Sequence, residues 1–344
     1  MIGVITCGGD CPGLNSVLYA LHRVFGKKIV GIKQNAICSD RPICEVYDLS
    51  ILPRHIINVG GTILGSIVES DLERYDPERL KKWQSAFKQF IKQSNIKELI
   101  VVAGDGGIGI MQSLCKEIDL PMIAIPKTID NDIQGSDFSI GFHSVVEHVT
   151  CELEALAVTG ASHKRLMIAE VMGRDAGYIG LVSGIAVFAD AILIPEIPYN
   201  LQELCSFLKE RYHEQNRGGL IVVSEGVQTP TGEYSYIQGK RYGGISEVLA
   251  HLIADSLNLP TRWTRLGHLQ RGGTPMAFDR FLANQMASKA KEVIEQKKYN
   301  HIVVVQNNEV KGIPIPEPLS RKIESVTYFE KVARNLGIFL GDRL

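Results

Sequence analysis

What this chain lacks narrows its function before any motif is read. Neither sign of charge dominates its 344 residues: 37 Lys and Arg stand against 38 Asp and Glu, a net charge of -1. A dedicated nucleic-acid binder needs a basic surplus to displace counterions, so the global charge argues against that class, though not against a local basic pocket for phosphates. Aromatic residues make up only 7%, with no aromatic-rich stripe to serve as a base-stacking platform. No apolar run approaches the ~20 residues needed to span a bilayer, and the chain opens without a basic segment and long apolar stretch. Seven cysteines are an odd number without zinc-type pairing; Cys7 and Cys11 have no second pair beside them. They read as reduced thiols. The expectation is a soluble cytoplasmic protein acting on small molecules, with neither nucleic acid nor membrane as a partner. Self-similarity at a fixed period and Ser/Pro-rich linkers are also lacking, so a solenoid is not expected and any domain boundary falls in a compact loop.

What the chain does have is ordinary globular chemistry, 45% apolar and 22% charged, in a length that accommodates two domains. Short β-branched runs recur at Ile2–Thr6, Lys28–Ile32, Glu98–Ala103, Pro121–Ile125, Arg165–Val171, Asp190–Ile194, Gly219–Ser224 and His301–Gln306. Most are apolar at consecutive positions, as expected of strands covered on both faces. Helical patterns such as Asp76–Lys92, Ser144–Leu156 and Ile245–Leu257 lie between them. That alternation predicts an α/β protein built from two doubly wound, mainly parallel sheets.

Ligands of parallel sheets gather beyond the carboxyl ends of the strands, so the residues that follow each strand form a functional survey. The first strand runs into Cys7-Gly8-Gly9-Asp10-Cys11-Pro12-Gly13-Leu14-Asn15, with a helix expected from about Ser16. Glycines before a helix start let backbone N–H groups approach an anion, although no Walker lysine follows. Glu98–Ala103 leads to the turn Gly104-Asp105-Gly106-Gly107, with a carboxylate placed to bind a cation. Pro121–Ile125 leads to Lys127-Thr128-Ile129-Asp130-Asn131-Asp132. Two carboxylates two residues apart can divide a task, one taking a hydroxyl proton and the other holding magnesium. Arg174 emerges between glycines after Arg165–Val171, and Glu225 follows Gly219–Ser224. Arg262, Arg265, His268 and Arg271, beside Gly272 and Gly273, read as a phosphate pocket. Any one of these has a bland reading as a turn or a solvated side chain. Together they point to phosphoryl transfer.

Taken together, these motifs resemble the phosphofructokinase family over nearly the whole chain. Gly-Gly-Asp-Cys-Pro-Gly-Leu-Asn, Gly-Gly-Thr-Ile-Leu-Gly-Ser (Gly60–Ser66), Gly-Asp-Gly-Gly, Lys-Thr-Ile-Asp-Asn-Asp, Glu-Val-Met-Gly-Arg and Leu-Gly-His-Leu-Gln-Arg-Gly-Gly occur in the family's order. The resemblance implies phosphorylation of the 1-hydroxyl of fructose 6-phosphate in glycolysis, in a cleft between two Rossmann-like domains. The donor domain would comprise 1–141 and 270–306, and the sugar-phosphate domain 142–269 and 307–344. It makes Asp130 the base, with Thr128 and Arg174 at the transferring group and Asp105 and Asp132 placing Mg2+. Gly8, Gly104, Gly106, Gly107 and Lys127 would border the donor. Met172, Gly173 and Glu225 would contact the sugar, and His268, Arg271, Arg165 and Arg262 its 6-phosphate. The family supplies Arg165 and Arg262 from a neighbouring subunit, which implies a homodimer or homotetramer with shared sites.

The residues that bear on the donor point in two directions. Gly106 accompanies ATP in the family, whereas pyrophosphate-dependent members usually have Asp there. Lys127 stands where simple bacterial ATP enzymes have Gly and pyrophosphate enzymes have Lys, and Ile110 where nucleotide users often have Gly. ATP is the expected donor and pyrophosphate the alternative. A sugar-phosphate-binding homologue with weakened catalysis is the other possibility. The arginine that the family offers after Gly-Ser, bridging both substrates, is missing from the run Ile67-Val68-Glu69-Ser70, with Arg74 or Lys127 as candidate substitutes.

Overall fold

The computed structural model describes residues 1–36, 40–67, 78–215, 218–238, 241–320 and 326–341, so Cys38, Val68 and Arg74 lie outside the described residues. Each expected strand forms, and its side chains are covered as its composition requires. All six residues of β1 (Ile2–Cys7) are buried. Such a strand can only sit inside a sheet clad by helices on both faces.

The first compact unit comprises Met1–Ser144 and Arg271–Ser320. Its sheet contains β1, β2 (Ile29–Gln34), β3 (Cys44–Tyr47), β4 (Glu98–Ala103), β5 (Met122–Thr128), β13 (His301–Gln306) and β14 (Glu309–Pro314), in the order β14-β13-β5-β4-β1-β2-β3, with the short β6 (Ile140–Gly141) paired to β5. β1 is parallel to β2 on one side and to β4 on the other. The chain first winds one way, through α1 (Leu14–Phe25) to β2, and then returns to build outward from β4. The order therefore reverses at β1 and β4, which opens a crevice beyond their carboxyl ends. Helix α2 (Glu78–Gln93) buries Trp83, Phe87 and Ile91, spaced at i, i+4 and i+8, on one side. Trp83 and Phe87 stack at 5.6 Å.

The second unit comprises Val145–Gln270 and the segment after residue 320. Its sheet is parallel throughout, in the order β12-β7-β9-β8: β12 (Thr261–Arg265), β7 (Leu166–Val171), β9 (Gly219–Ser224) and β8 (Ala191–Leu193). Glu170 of β7 is buried, and its carboxylate accepts hydrogen bonds from Gly244 N, Ser246 N and Ser246 Oγ, so it caps the helix Ile245–Leu257. Buried negative charge at a helix N-terminus is stabilised by the free N–H groups there.

Three expectations need correction. The donor-side unit continues past residue 306, because β14 pairs residue for residue with β13 from Gln306↔Glu309 to His301↔Pro314. β3, β12 and β14 give no apolar run in the sequence, because each is an outer strand with at most one buried position. Finally, Arg262 and Arg265 lie within β12 and not after it. Three residues apart on a strand, they face opposite sides. The cluster from Arg262 to Arg271 is therefore not one pocket. Among the described residues no helix is long and apolar enough to cross a membrane.

Candidate active site

In the first unit, three segments meet beyond β1, β4 and β5. The Gly60–Ser66 loop returns so that Ile67 bridges Cys7 in parallel, and Gly8 N donates to Ile67 O at 3.0 Å. Gly8 N–H is thereby spent inside the protein. Ser66 Oγ donates to Gly8 O. The loop is also held from beneath. Asn15 Nδ2 donates to Val59 O (3.0 Å) and Gly60 O (3.3 Å), and its Oδ1 accepts from Ile63 N (3.0 Å). Gln34 Nε2 donates to Thr6 O (2.6 Å) and Gly65 O (3.2 Å).

β5 runs three residues further than expected, to Thr128, which places Lys127 inside the strand. The Lys127 side chain is almost fully enclosed, and its ammonium donates to Cys7 O at 2.9 Å and to Gly9 O. It thus ties the end of β5 to the turn that follows β1. Burial holds its pKa below the ordinary lysine value, and the nearby Arg271 pushes it the same way. The guanidinium of Arg271 covers the other face of that turn: a Cβ on Gly9 would stand 1.4 Å from Nη1.

The expected turn at 104–107 is the start of a helix, α3 (Asp105–Glu117), with Gly104 as its N-cap residue. Asp105 occupies its first turn, where the positive end of the dipole favours a carboxylate. Gly107 is required by packing, since a Cβ there would lie 2.9 Å from Ala103 Cβ and 3.1 Å from Cys7 Cβ. Gly106 and Gly109 are not: a Cβ on either meets nothing within 4 Å. Their bareness leaves open space along the helix that the fold itself does not need.

After β5, Asp130 is buried with 7% exposure, and its N–H donates to Thr128 Oγ1 at 3.1 Å. Asn131 has φ 54°, a left-handed conformation that Asn tolerates. Its side chain donates to Asp137 O (3.0 Å) and accepts from Ser139 N (2.9 Å), while Ser139 Oγ donates to Thr128 O (2.7 Å). The segment carrying Thr128, Asp130 and Asp132 is therefore braced independently of any ligand. A Cβ on Gly104 would lie 3.7 Å from Thr128 Cβ, so the ends of β4 and β5 adjoin.

Two carboxylates with hard oxygens, Asp105 and Asp132, suit Mg2+. No group of three or more His, Cys, Asp or Glu positioned to hold a metal is found among the described residues. One or two carboxylates are what a magnesium ion carried on donor phosphates requires. The donor set fits that use.

In the second unit, Met172, Gly173 and Arg174 follow β7, Glu225 follows β9, and residues 267–270 follow β12. Arg174 N donates to Glu225 Oε1 at 3.3 Å, and Met172 N to the buried Gln270 Oε1 at 3.2 Å. Gly173 (φ 138°) and Arg174 (φ 50°) turn the chain sharply. The structure thus brings Met172, Gly173, Arg174 and Glu225 together, with His268 leaving the carboxyl end of the neighbouring strand. Arg165 and Arg262 are elsewhere. Arg165 precedes the six residues of β7, and Arg262 pairs with Met167 near its start. A strand of that length spans about 20 Å, so both arginines sit at the opposite end of the same sheet.

The sequence model of the phosphofructokinase family matches residues 1–294. The chain belongs to the phosphofructokinase family. It is 39% identical over 354 residues to the ATP-dependent 6-phosphofructokinase 1 of Nostoc sp. strain PCC 7120, covering 99% of this chain and 98% of that one. It is also 34% identical to a pyrophosphate–fructose 6-phosphate 1-phosphotransferase of Dictyoglomus thermophilum, over 91% of this chain and 92% of that one. Among solved structures, the Pichia pastoris phosphofructokinase in the T-state matches with a TM-score of 0.75 at 28% identity, covering 97% of this chain and 36% of the yeast chain. This chain thus spans about a third of the yeast phosphofructokinase.

Sequence reasoning missed the supports of the site: Asn15, Gln34, Asn131, Ser139 and Gln270. Asn15 and Gln34 left a faint trace, each being a polar residue beside an apolar run.

Proposed function

We propose that this chain transfers the terminal phosphoryl group of MgATP to the 1-hydroxyl of fructose 6-phosphate, yielding fructose 1,6-bisphosphate in glycolysis. The observation that carries the reading is the convergence, at the strand-order reversal of the first sheet, of a side-chain-free turn at Gly8–Gly9, the N-terminus of α3 and the braced Asp130. These are the parts phosphoryl transfer requires: N–H dipoles and cations for the phosphates, and a carboxylate for the hydroxyl proton.

In this reading the Asp130 carboxylate accepts the hydroxyl proton while the substrate oxygen bonds to phosphorus and the bond to the leaving phosphate breaks. Thr128 donates to an oxygen of the transferring group. Asp105 and Asp132 would hold Mg2+, which would neutralise charge on the donor phosphates. Gly104 and Gly106 let the donor lie close to the backbone, and Lys127 keeps the Gly8–Gly9 turn in place. Met172, Gly173 and Glu225 orient the sugar, Arg174 faces the transferring group, and His268 binds the 6-phosphate. Positioning and charge neutralisation account for most of the rate enhancement. Arg165 and Arg262, at the far end of their own sheet, serve a neighbouring subunit's site, so the working form is a cytoplasmic homodimer or homotetramer.

The open Cβ position at Gly106 favours ATP, because a carboxylate there would project into the space the nucleotide needs. Lys127, the residue that pyrophosphate-dependent members of the family carry at this position, favours pyrophosphate as the second reading, and relatives of both kinds match the chain. Coupled assays of the purified protein with fructose 6-phosphate, Mg2+ and either donor decide between them. Turnover with ATP at least tenfold above that with pyrophosphate is the expected result. The reverse ratio selects pyrophosphate, and inactivity with both selects a sugar-phosphate-binding homologue.

A further inference from the structure

Between Glu225 and the helix Ile245–Leu257 the second unit makes an excursion to which phosphoryl transfer, as described above, gives no task. β10 (Tyr236–Gln238) pairs antiparallel with β11 (Arg241–Tyr242) in a two-stranded sheet of its own. Just before it, Gln228 bridges Tyr234 across a turn in which Thr229 N donates to Glu233 O (2.8 Å) and Gly232 N to Thr229 O (2.9 Å). A lone hairpin of this size is marginal in water. Here rings steady it: Tyr242 stacks on Tyr234 at 5.0 Å and on Tyr236, its cross-strand partner, at 5.7 Å. Tyr234 and Tyr236 are exposed, whereas Tyr242 is half-buried and reaches the body of the unit. Its hydroxyl donates to Asp175 Oδ1 at 3.4 Å. Partial burial and the Asp175 charge raise its pKa above the ordinary tyrosine value, so the hydroxyl keeps its proton at neutral pH.

Asp175 belongs to the turn that carries Met172, Gly173 and Arg174. Arg174 has φ 50°, a left-handed conformation that costs a residue with a side chain free energy and persists only where neighbours hold it. The first limb of the excursion holds Arg174: its N–H donates to Glu225 Oε1, and Gly226 lies against its carbonyl. The last limb holds Asp175 through Tyr242. The two ends of one excursion thus grip consecutive residues of the turn, while the Arg174 side chain stays exposed. We propose that Tyr242 is a positioning residue for the sugar phosphate: by holding Asp175 it fixes the turn from which Met172, Gly173 and Arg174 meet that substrate. This role rests on the phosphoryl-transfer reading above and deepens it. At 3.4 Å the hydrogen bond is longer than the roughly 2.8 Å usual between oxygens, so the packing of the ring on Tyr234 and Tyr236 supplies the rest of the hold. The base of the excursion is fixed separately, by Gly243 N donating to Ser235 O (3.1 Å) and Gly244 N to the buried Glu170 (3.0 Å).

Tyr242→Phe, Asp175→Ala, their double variant and Asp175→Asn test the assignment in the full chain. Tyr242→Phe keeps the ring stack and removes only the hydroxyl. It is expected to raise KM for fructose 6-phosphate about fivefold or more, the scale of one hydrogen bond, with donor KM changed less than about twofold. A purely structural loss would instead lower the active fraction, and with it kcat, and leave both KM values alone. Asp175→Ala should match Tyr242→Phe, and the double variant should be no worse than either, because all three remove the same contact. Asp175→Asn retains an acceptor for the hydroxyl and should keep the sugar-phosphate KM within about twofold of normal. A sugar-phosphate KM within about twofold of normal in Tyr242→Phe, or single effects that multiply in the double variant, would overturn the inference. If the unmodified protein turns over with neither donor and calorimetry shows no binding of fructose 6-phosphate, the functional reading fails instead. Should Tyr242→Phe lose its folded melting transition, Asp175→Ala and Asp175→Asn decide. A KM about threefold or more higher for the alanine variant supports the role of Tyr242, and equal values overturn it.

Discussion

The carbonyl oxygen of Arg174 lies 1.9 Å from where a Cβ on Gly226 would stand. The turn after β7 and the turn after β9 are therefore interlocked, and Arg174 N–H donates back to Glu225. Any side chain at 226 has to push backbone aside, and backbone gives way at greater cost than a flexible side chain. Gly226→Ala is expected to lower stability by about 1–3 kcal/mol. It should also raise KM for fructose 6-phosphate about tenfold or more, with donor KM unchanged. Urea unfolding and steady-state kinetics measure the two effects. An unchanged sugar-phosphate KM would show that this interlock does not shape the sugar site.

Lys127 makes a pH prediction. Its burial lowers the folded-state pKa below the ordinary 10.5. Between the lowered value and about 10.5 the unfolded chain binds a proton that the folded chain has released, so stability contributed by this group rises with pH over that interval. Below the interval both states are protonated and the unfavourable burial of charge is felt in full. Urea unfolding of the protein and of Lys127→Met, compared at steps up to about pH 10.5, should show the unmodified protein gaining stability relative to the variant as pH rises. Parallel curves would mean that the ammonium is not desolvated.

Asp130→Ser removes the proposed base while leaving the Asn131–Ser139 brace intact. A decrease in kcat of about 100- to 10,000-fold is expected, the range of general-base contributions. Affinity for fructose 6-phosphate, measured by calorimetry, should stay within about threefold. Retention of more than a tenth of the activity would remove Asp130 from the chemistry.

The thiols also separate. Burial pushes Cys7 and Cys11 up to about 12, far from thiolate formation at neutral pH, whereas Cys151 is exposed on its helix. Alkylation of the native protein followed by peptide mass mapping should label Cys151 well before Cys7 or Cys11. Early labelling of Cys7 would show that the turn after β1 opens readily.

The family, the alternation of strands and helices, and the chemistry at the strand ends could all be read from the sequence. A doubly covered parallel strand leaves an uninterrupted apolar run, and a ligand-bearing turn leaves glycine or charge at its end. Outer strands left no such signal: Thr261–Arg265 looked like part of a basic pocket because it has no buried position and exposes both of its arginines. Neither did pairing legibly report that Glu309–Pro314 extends the first sheet.

Side-chain partners are a different matter. Lys127 invites the reading of a donor ligand, and only folding reveals that two backbone carbonyls of the first turn already accept from it. Likewise Arg165 and Arg262 read as companions of His268 at the 6-phosphate, yet Arg165 precedes all six residues of β7 and Arg262 pairs with Met167 near its start. Residue types fix which chemistry is possible, because acids, cations and bare turns have intrinsic properties. Which of them meet depends on register and strand order, set by packing between segments more than a hundred residues apart, and that packing is decided only in the tertiary structure.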